Sequence, residues 1–199
     1  MREIRPGWTL SRVGDLFDMQ LGKMLSKEAA SGPNQREYLT NKNVQWNRFD
    51  FGGLNSMSFS ESEREKFRLI CGDLLVTEGG EVGRTAIWNE EREECYFQKS
   101  LHRLRSKGRI DPRYMLHYMN HAARWKLFVD SVGQTSIAHL PQDKFAEHLV
   151  AYPVELAEQQ AIVEMIDAVS TRERSIQLEL DKLRTLKLGL ADDLLADRT

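Results

Sequence analysis

The chain has 199 residues, 41% of them hydrophobic and 29% charged, enough for one ordinary core and an appendage. No run approaches the ~18 consecutive apolar residues of a membrane span, and Met1-Arg2-Glu3-Ile4-Arg5-Pro6 lacks the apolar stretch of a signal peptide, so a soluble, cytoplasmic protein is expected. A net charge of −2 excludes nucleic-acid binding by bulk electrostatics alone, and the widely separated Cys71 and Cys95, expected as reduced and partly buried thiols, argue against a zinc cluster or a disulfide framework.

In chain order, helix-like periodicity predicts helices over Val13 to Leu21 and Tyr114 to Phe128. Between them Arg68-Leu69-Ile70, Leu74-Leu75-Val76-Thr77, Thr85-Ala86-Ile87-Trp88, Tyr96-Phe97 and Ser100 to Leu104 read as strands parted by glycine and charged turns. Strands outnumber helices and do not alternate with them regularly, which predicts an α+β domain over residues 1–152. Residues 153–199 differ in kind. Ile162, Val169, Ile176, Leu183 and Leu190 recur every seven residues, with a second track at Ile166, Leu180 and Leu194 broken by Glu173 and Lys187. No proline follows Pro153 and Gly189 is the only glycine, so a helix is expected from about Leu156 to Leu195, a rod of roughly 60 Å. So narrow an apolar stripe on so long a helix calls for a coiled-coil partner. Packing back on its own domain could cover only the first turns, and the eight stripe residues are therefore the expected dimerisation surface.

Charge is unevenly spread. Residues 156–199 carry 9 acidic and 6 basic side chains, leaving residues 1–155 at +1. A nucleic-acid contact therefore belongs in the front part, on a local patch such as Lys99, Arg103, Arg105, Lys107, Arg109 and Arg113; on charge alone a solvated strand and turn is the better reading.

Chemistry is sought and not found. Glu78-Gly79-Gly80-Glu81-Val82-Gly83-Arg84 lacks the Gly-Lys-Ser/Thr ending of a phosphate loop and carries two glutamates that would repel a phosphate, so a tight turn between strands is the better reading. His117 and His121 could share a helix face, but Tyr118 stands where a metalloprotease would carry glutamate. Asp73, Glu78 and Glu81 loosely follow nuclease carboxylates, with Gly83 where lysine would be wanted. Asp111-Pro112-Arg113-Tyr114 is only superficially like the adenine-methyltransferase motif, and no glycine-rich cofactor loop follows an early strand. No catalytic residue, metal or cofactor is expected.

Taken in order, Gly7-Trp8, Val13-Gly14-Asp15-Leu16, Gln20-Leu21-Gly22-Lys23, Tyr38-Leu39-Thr40-Asn41-Lys42-Asn43-Val44-Gln45, Gly72 to Gly80, Val82-Gly83-Arg84, Phe97-Gln98, Leu101 to Arg105, Thr135 to Leu140 and Leu156-Ala157-Glu158-Gln159-Gln160-Ala161-Ile162-Val163 resemble the specificity subunits of type I restriction-modification systems. The resemblance covers nearly the whole chain and matches one half of such a subunit: one target-recognition domain and one long helix. It implies a non-catalytic subunit that reads double-stranded DNA. Its helix would pair with a second copy or another half-subunit, and its partners would be a methyltransferase subunit using S-adenosylmethionine and a nuclease-translocase subunit. Helices packed antiparallel would set the two recognition domains on the order of 15 to 18 base pairs apart at most, a split site with an unread spacer. Two departures stand out. Tyr152-Pro153-Val154-Glu155-Leu156 replaces the usual proline-rich linker, which implies a less rigid connection, and Lys99-Ser100 replaces a small polar pair, which offers an extra phosphate contact.

Base reading favours Arg or Lys for guanine and Asn or Gln for adenine. Lys23, Lys27, Asn41, Asn43, Gln45, Trp46, Asn47 and Arg48 are accordingly expected at base edges or in a groove, with Arg84, Lys99, Arg103 and Arg105 as phosphate clamps; singly, Asn43 and Asn47 also read as turn residues and Trp46 as core. Along the final helix Glu164, Arg172, Arg174, Glu179, Lys182 and Arg184 are candidates for partner contact, or a solvated face. The competing function is a stand-alone DNA-binding regulator or inhibitor on the same scaffold, which would not form a stoichiometric complex with a methyltransferase; a nuclease or methyltransferase would act alone.

Overall fold

The computed structural model describes residues 4–128 and 139–196. Thr135-Ser136-Ile137-Ala138 lie outside the described residues. The first half runs β1 (Trp8–Arg12), α1 (Val13–Leu16), β2 (Phe17–Leu21), α2 (Lys27–Ser31), β3 (Gln35–Leu39), a 3-10 turn (Asn41–Asn43), β4 (Val44–Gln45), β5 (Arg48–Phe49), β6 (Asn55–Ser58) and α3 (Glu61–Phe67). It continues through β7 (Leu74–Thr77), β8 (Thr85–Ile87), β9 (Tyr96–Phe97), β10 (Leu101–Ser106), α4 (Pro112–Arg124), α5 (Gln142–Glu147), β11 (Leu149–Pro153) and α6 (Leu156–Leu195). This is an α+β unit followed by a long helix.

Four antiparallel strands in the order β2-β10-β7-β8 make the central sheet. Every residue of β7 is buried, which is why Leu74-Leu75-Val76-Thr77 reads as an uninterrupted run. A second sheet, β6-β3-β9, pairs β3 antiparallel to β6 and parallel to β9, while β1 and β11 form a separate ribbon. The core between these elements is aromatic: Phe59 stacks on Tyr96 with centroids 4.5 Å apart, and Phe49 meets Trp88 edge-on at 5.3 Å.

Three expectations need correction. Val13 and Leu16 are buried with helical spacing, but the helix lasts one turn, because Phe17–Leu21 is drawn into the sheet by register pairing with Ser106–His102; cross-strand pairing outweighs local periodicity. Arg68-Leu69-Ile70 is no strand. It leaves α3 with Leu69 buried, its N–H on the Cys95 carbonyl (3.0 Å) and the Ile70 N–H on the Asp73 carboxylate (2.9 Å), bonds that fasten a loop rather than a ladder. Cys71 is exposed, whereas Cys95 is buried and its thiol is pushed up to about 12 by desolvation. The second helix stands as read in its body: Asp111 caps it through the Arg113 N–H (2.7 Å), Pro112 opens it, and Tyr114, Met115, Leu116, Met119 and Ala122 form its buried face.

Gly22 marks a tight crossing. Its N–H reaches the Leu101 carbonyl (3.2 Å), and a Cβ built there would stand 2.4 Å from the carbonyl carbon and oxygen of Gln98. Because both atoms are backbone, Gly22→Ala is expected to lower stability by about 3 kcal/mol, read from urea denaturation. A loss within about 1 kcal/mol would mean that the Phe97–Gln98 segment gives way.

The chain divides into two units, Met1–Gln160 and Ala161–Thr199. Within the first, the start of α6 is fixed by Gln159, fully buried: its Oε1 accepts from the Asp111 N–H (2.8 Å) and its Nε2 donates to the carbonyls of Pro153 (2.8 Å) and Arg109 (3.2 Å). A buried amide satisfied in this way is costly to remove, which gives Gln159 a structural reason for its place in Leu-Ala-Glu-Gln-Gln. The second unit is helical through Leu195. Along it Val169, Ile176, Leu183 and Leu190 are 65%, 52%, 57% and 51% exposed, and Ile166, Leu180 and Leu194 are exposed as well; Ile162 is half-buried. Among the described residues no helix is long and apolar enough to cross a membrane.

Candidate nucleic-acid interface

The polar run after β3 is built on a single buried side chain. Asn43 Oδ1 accepts from the Thr40 N–H (3.0 Å) and hydroxyl (2.8 Å), and its Nδ2 donates to the Asp50 carbonyl (2.9 Å), leaving the residue 1% exposed. Asn43 is therefore a clamp that shapes the loop, not a base contact, and the expectation for it is corrected on that ground. Next comes a two-residue hairpin. Val44 and Phe49 pair with their side chains buried, which sends Gln45 and Arg48 to the opposite face, and Trp46-Asn47 form the turn with Asn47 at φ 59°. The tip is held from outside: Asn47 N–H donates to the Thr85 carbonyl (3.0 Å) and its Oδ1 accepts from Asn120 Nδ2 (2.8 Å). Gln45 donates to the Lys42 carbonyl (2.8 Å), and the Arg48 side chain is exposed.

The glycine cluster is the connection between β7 and β8, as its composition suggests. Thr77 closes it, its hydroxyl donating to the Glu81 carbonyl (2.6 Å) and accepting from the Arg84 N–H (3.1 Å), with Gly80 and Gly83 at φ 73° and 81°. This loop and the hairpin interlock. Arg84 Nη2 donates to the Asn41 carbonyl (2.6 Å), Asn41 Nδ2 to the Gly79 carbonyl (3.2 Å), and Trp46 Nε1 to Glu81 Oε1 (2.7 Å). The fold thus brings Asn41, Gln45, Trp46, Asn47, Arg48 and Arg84 to one polar face. It adds Glu81 and Asn120, which sequence reasoning missed: no local pattern links either to a partner 35 or 73 residues away.

Two further candidates, Lys23 and Lys99, line a cleft of about 740 Å3 together with Gln20–Gly22, Glu28 and Ala29 of α2, Ser58–Ser60 and Glu63. Lys23 lies at its wall, donating to the Ser58 carbonyl (2.7 Å) and Glu63 (2.6 Å) over the Phe59 ring; the hydrogen bond from Lys23 holds the Glu63 carboxyl below its usual range. Its charge is thereby matched, while Lys27 and Lys99 are exposed.

The β10 arginines are not clamps for an external phosphate. Strand alternation puts Arg103 and Arg105 on one face, where Arg103, 4% exposed, donates to the Lys66 carbonyl (3.0 Å) and Asp18 (3.1 Å). Arg105 grips the fully buried Asp73 with two bonds of 2.7 Å. Both are committed to internal carboxylates. Of the rest of that basic patch, Lys107 donates to the Gly14 carbonyl (2.8 Å), and Arg109 and Arg113 are exposed.

On the other face of β10, His102 is fully buried against the Leu140 carbonyl (2.9 Å), and desolvation lowers its pKa to about 4. The unfolded chain therefore binds a proton near pH 6.5 that the folded chain resists until about pH 4. Stability falls as pH drops through that window, by about 3 kcal/mol from this group. Urea denaturation at pH 7 and pH 4 reads it, and His102→Gln is expected to shrink the difference; an unchanged pH slope would sink the assignment.

A family model described as "Type I restriction modification DNA specificity domain" matches residues 6–184. Among solved structures, a chain from work on assembly and conformational transition of the type I R-M system superposes with TM-score 0.74 at 16% identity, over 98% of this chain and 46% of that one. The HsdS subunit from Thermoanaerobacter tengcongensis gives 0.69 at 16% identity over 96% and 45%, and the type I restriction-modification S subunit from M. genitalium 0.57 at 19% over 100% and 48%. The chain spans just under half the length of each of these three. No match is found among curated proteins.

Proposed function

The chain belongs to the type I restriction-modification DNA specificity domain family, and from that membership we propose that it reads DNA sequence for a partner methyltransferase and carries no chemistry of its own. The family match over residues 6–184 carries this reading. Supporting it is the polar face where the hairpin and glycine loop meet. The amides of Gln45 and Asn47 can both donate to and accept from base edges, Arg48 brings paired donors and Trp46 a single indole donor, while Arg84, Lys27 and Lys99 offer charge to phosphates. Asn41 and Lys23 shape the loops that carry them.

The helix α6 pairs with an equivalent helix through Ile162, Ile166, Val169, Ile176, Leu180, Leu183, Leu190 and Leu194, forming a coiled coil that spaces two recognition domains. A stripe more than half exposed at Val169, Ile176, Leu183 and Leu190 supports this, because apolar area left in water on a 40-residue helix is stabilised by a second helix. Methyl transfer, and the S-adenosylmethionine it consumes, belong to the methyltransferase subunit; a nuclease-translocase subunit would add restriction. The assembly acts on DNA in the cytoplasm.

Co-expression with a type I methyltransferase subunit, followed by strand-resolved mapping of methylated bases, tests the reading. A palindromic motif interrupted by a fixed spacer is expected for a pair of identical chains, and an asymmetric one for pairing with a different half. Methylation no different from that of the methyltransferase alone would reject the specificity role.

A further inference from the structure

Glu81 inserts an acidic side chain into the polar face described above, and the DNA-reading role leaves it unexplained. Its Oε1 accepts from Trp46 Nε1 (2.7 Å) and its Oε2 from Arg84 Nη1 (3.3 Å), so a single carboxylate ties the hairpin turn to the cation of the glycine loop. The geometry is built: Thr77 fixes the Glu81 carbonyl and the Arg84 N–H on its one hydroxyl, which sets residues 81 and 84 side by side, while Arg84 is anchored separately to the Asn41 carbonyl. Glu81's side chain is 57% exposed and Arg84's 16%, so the carboxylate stands on the solvent side of the cation, where an incoming phosphate would arrive.

We propose that Glu81 is a specificity-determining residue that occupies, in the free protein, the place a DNA phosphate takes in the complex. The inference rests on the DNA-reading role proposed above. With Arg84 and Trp46 already partnered, a duplex of arbitrary sequence gains little from them and meets a negative charge. A cognate duplex also gains base contacts from Gln45, Asn47 and Arg48, and that surplus displaces the carboxylate, which releases Arg84 to a phosphate and the indole N–H to the groove. Discrimination is a difference of two affinities, and an internal competitor enlarges it by weakening the lesser one.

The test uses the full chain in its complex with the methyltransferase and two labelled duplexes, one of random sequence and one carrying the mapped motif, with binding followed by fluorescence anisotropy across a salt series. Glu81→Gln keeps the side chain's size and removes its charge. It is expected to tighten random-sequence binding about threefold or more, to narrow the ratio between the two duplexes, and to steepen the salt slope by about one phosphate contact. Glu65→Gln, the same charge change on α3, is expected to do much less. Equal gains in both variants, or random-sequence affinity unchanged or weaker in Glu81→Gln, overturn the proposal, and loss of the motif at one base pair would make Glu81 a direct base reader instead. If the unaltered complex binds neither duplex, the DNA-reading role fails and this inference with it.

Discussion

Replacing Ile176 and Leu183 together by aspartate is expected to leave the chain monomeric and to abolish methylation of a split site. Both side chains are more than half exposed, at 52% and 57%, and both lie within the second unit, so the substitutions remove nothing from the core of residues 1–160. In an antiparallel pair of helices each substitution acts twice. Four apolar side chains, each contributing about 1.5 to 3 kcal/mol when buried, are lost, and carboxylates are placed in an apolar seam. The expected effect is a dissociation constant weakened by at least ~10^4, since each 1.4 kcal/mol is a factor of ten. Sedimentation equilibrium reads the association and methylation mapping reads its consequence. A double variant that stays dimeric would place the contact elsewhere on the chain, and a monomer that still directs methylation to both half-sites would sink the two-fold arrangement.

The same helix shows why some of this structure was legible in the sequence. Its heptad positions run without competition from sheet pairing, so composition and spacing alone set its limits, and the structure gives Leu156–Leu195. Val13–Leu21 had an equally acceptable helical period over its first turn, but a strand more than 80 residues further along the chain claimed Phe17–Leu21. The candidate site divides in the same way. Asn43 and Arg48 are both suitable for reading bases, and nothing local distinguishes them; what separates them is that Val44 and Phe49 enter the core and turn the Asn43 amide inward, toward Thr40 and Asp50. Arg103 and Arg105 read as a basic patch because their carboxylate partners, Asp18 and Asp73, lie 85 and 32 residues away. Charge in a sequence is visible without its counterion.

That division yields the sharper test of the reading face. Arg48→Ala combined with Gln45→Ala is expected to cut methylation of the mapped motif at least ~100-fold, since each lost base contact removes about 1 to 3 kcal/mol of discrimination, while urea stability stays within about 0.5 kcal/mol because Arg48 is exposed and Gln45 only half-buried. Each single variant should relax the motif at a defined base pair in each half-site. Asn43→Ala should behave in the opposite manner. It strands the Thr40 N–H and the Asp50 carbonyl, so stability falls by about 2 kcal/mol or more, and methylation falls with it at every position alike. The pair of outcomes separates reading from scaffolding within the short run from Asn43 to Arg48. If Arg48 and Gln45 could be removed with the methylated sequence unchanged, the hairpin tip would be support for a reader that lies on another loop, and the cleft lined by Lys23 and Lys99 would become the place to look.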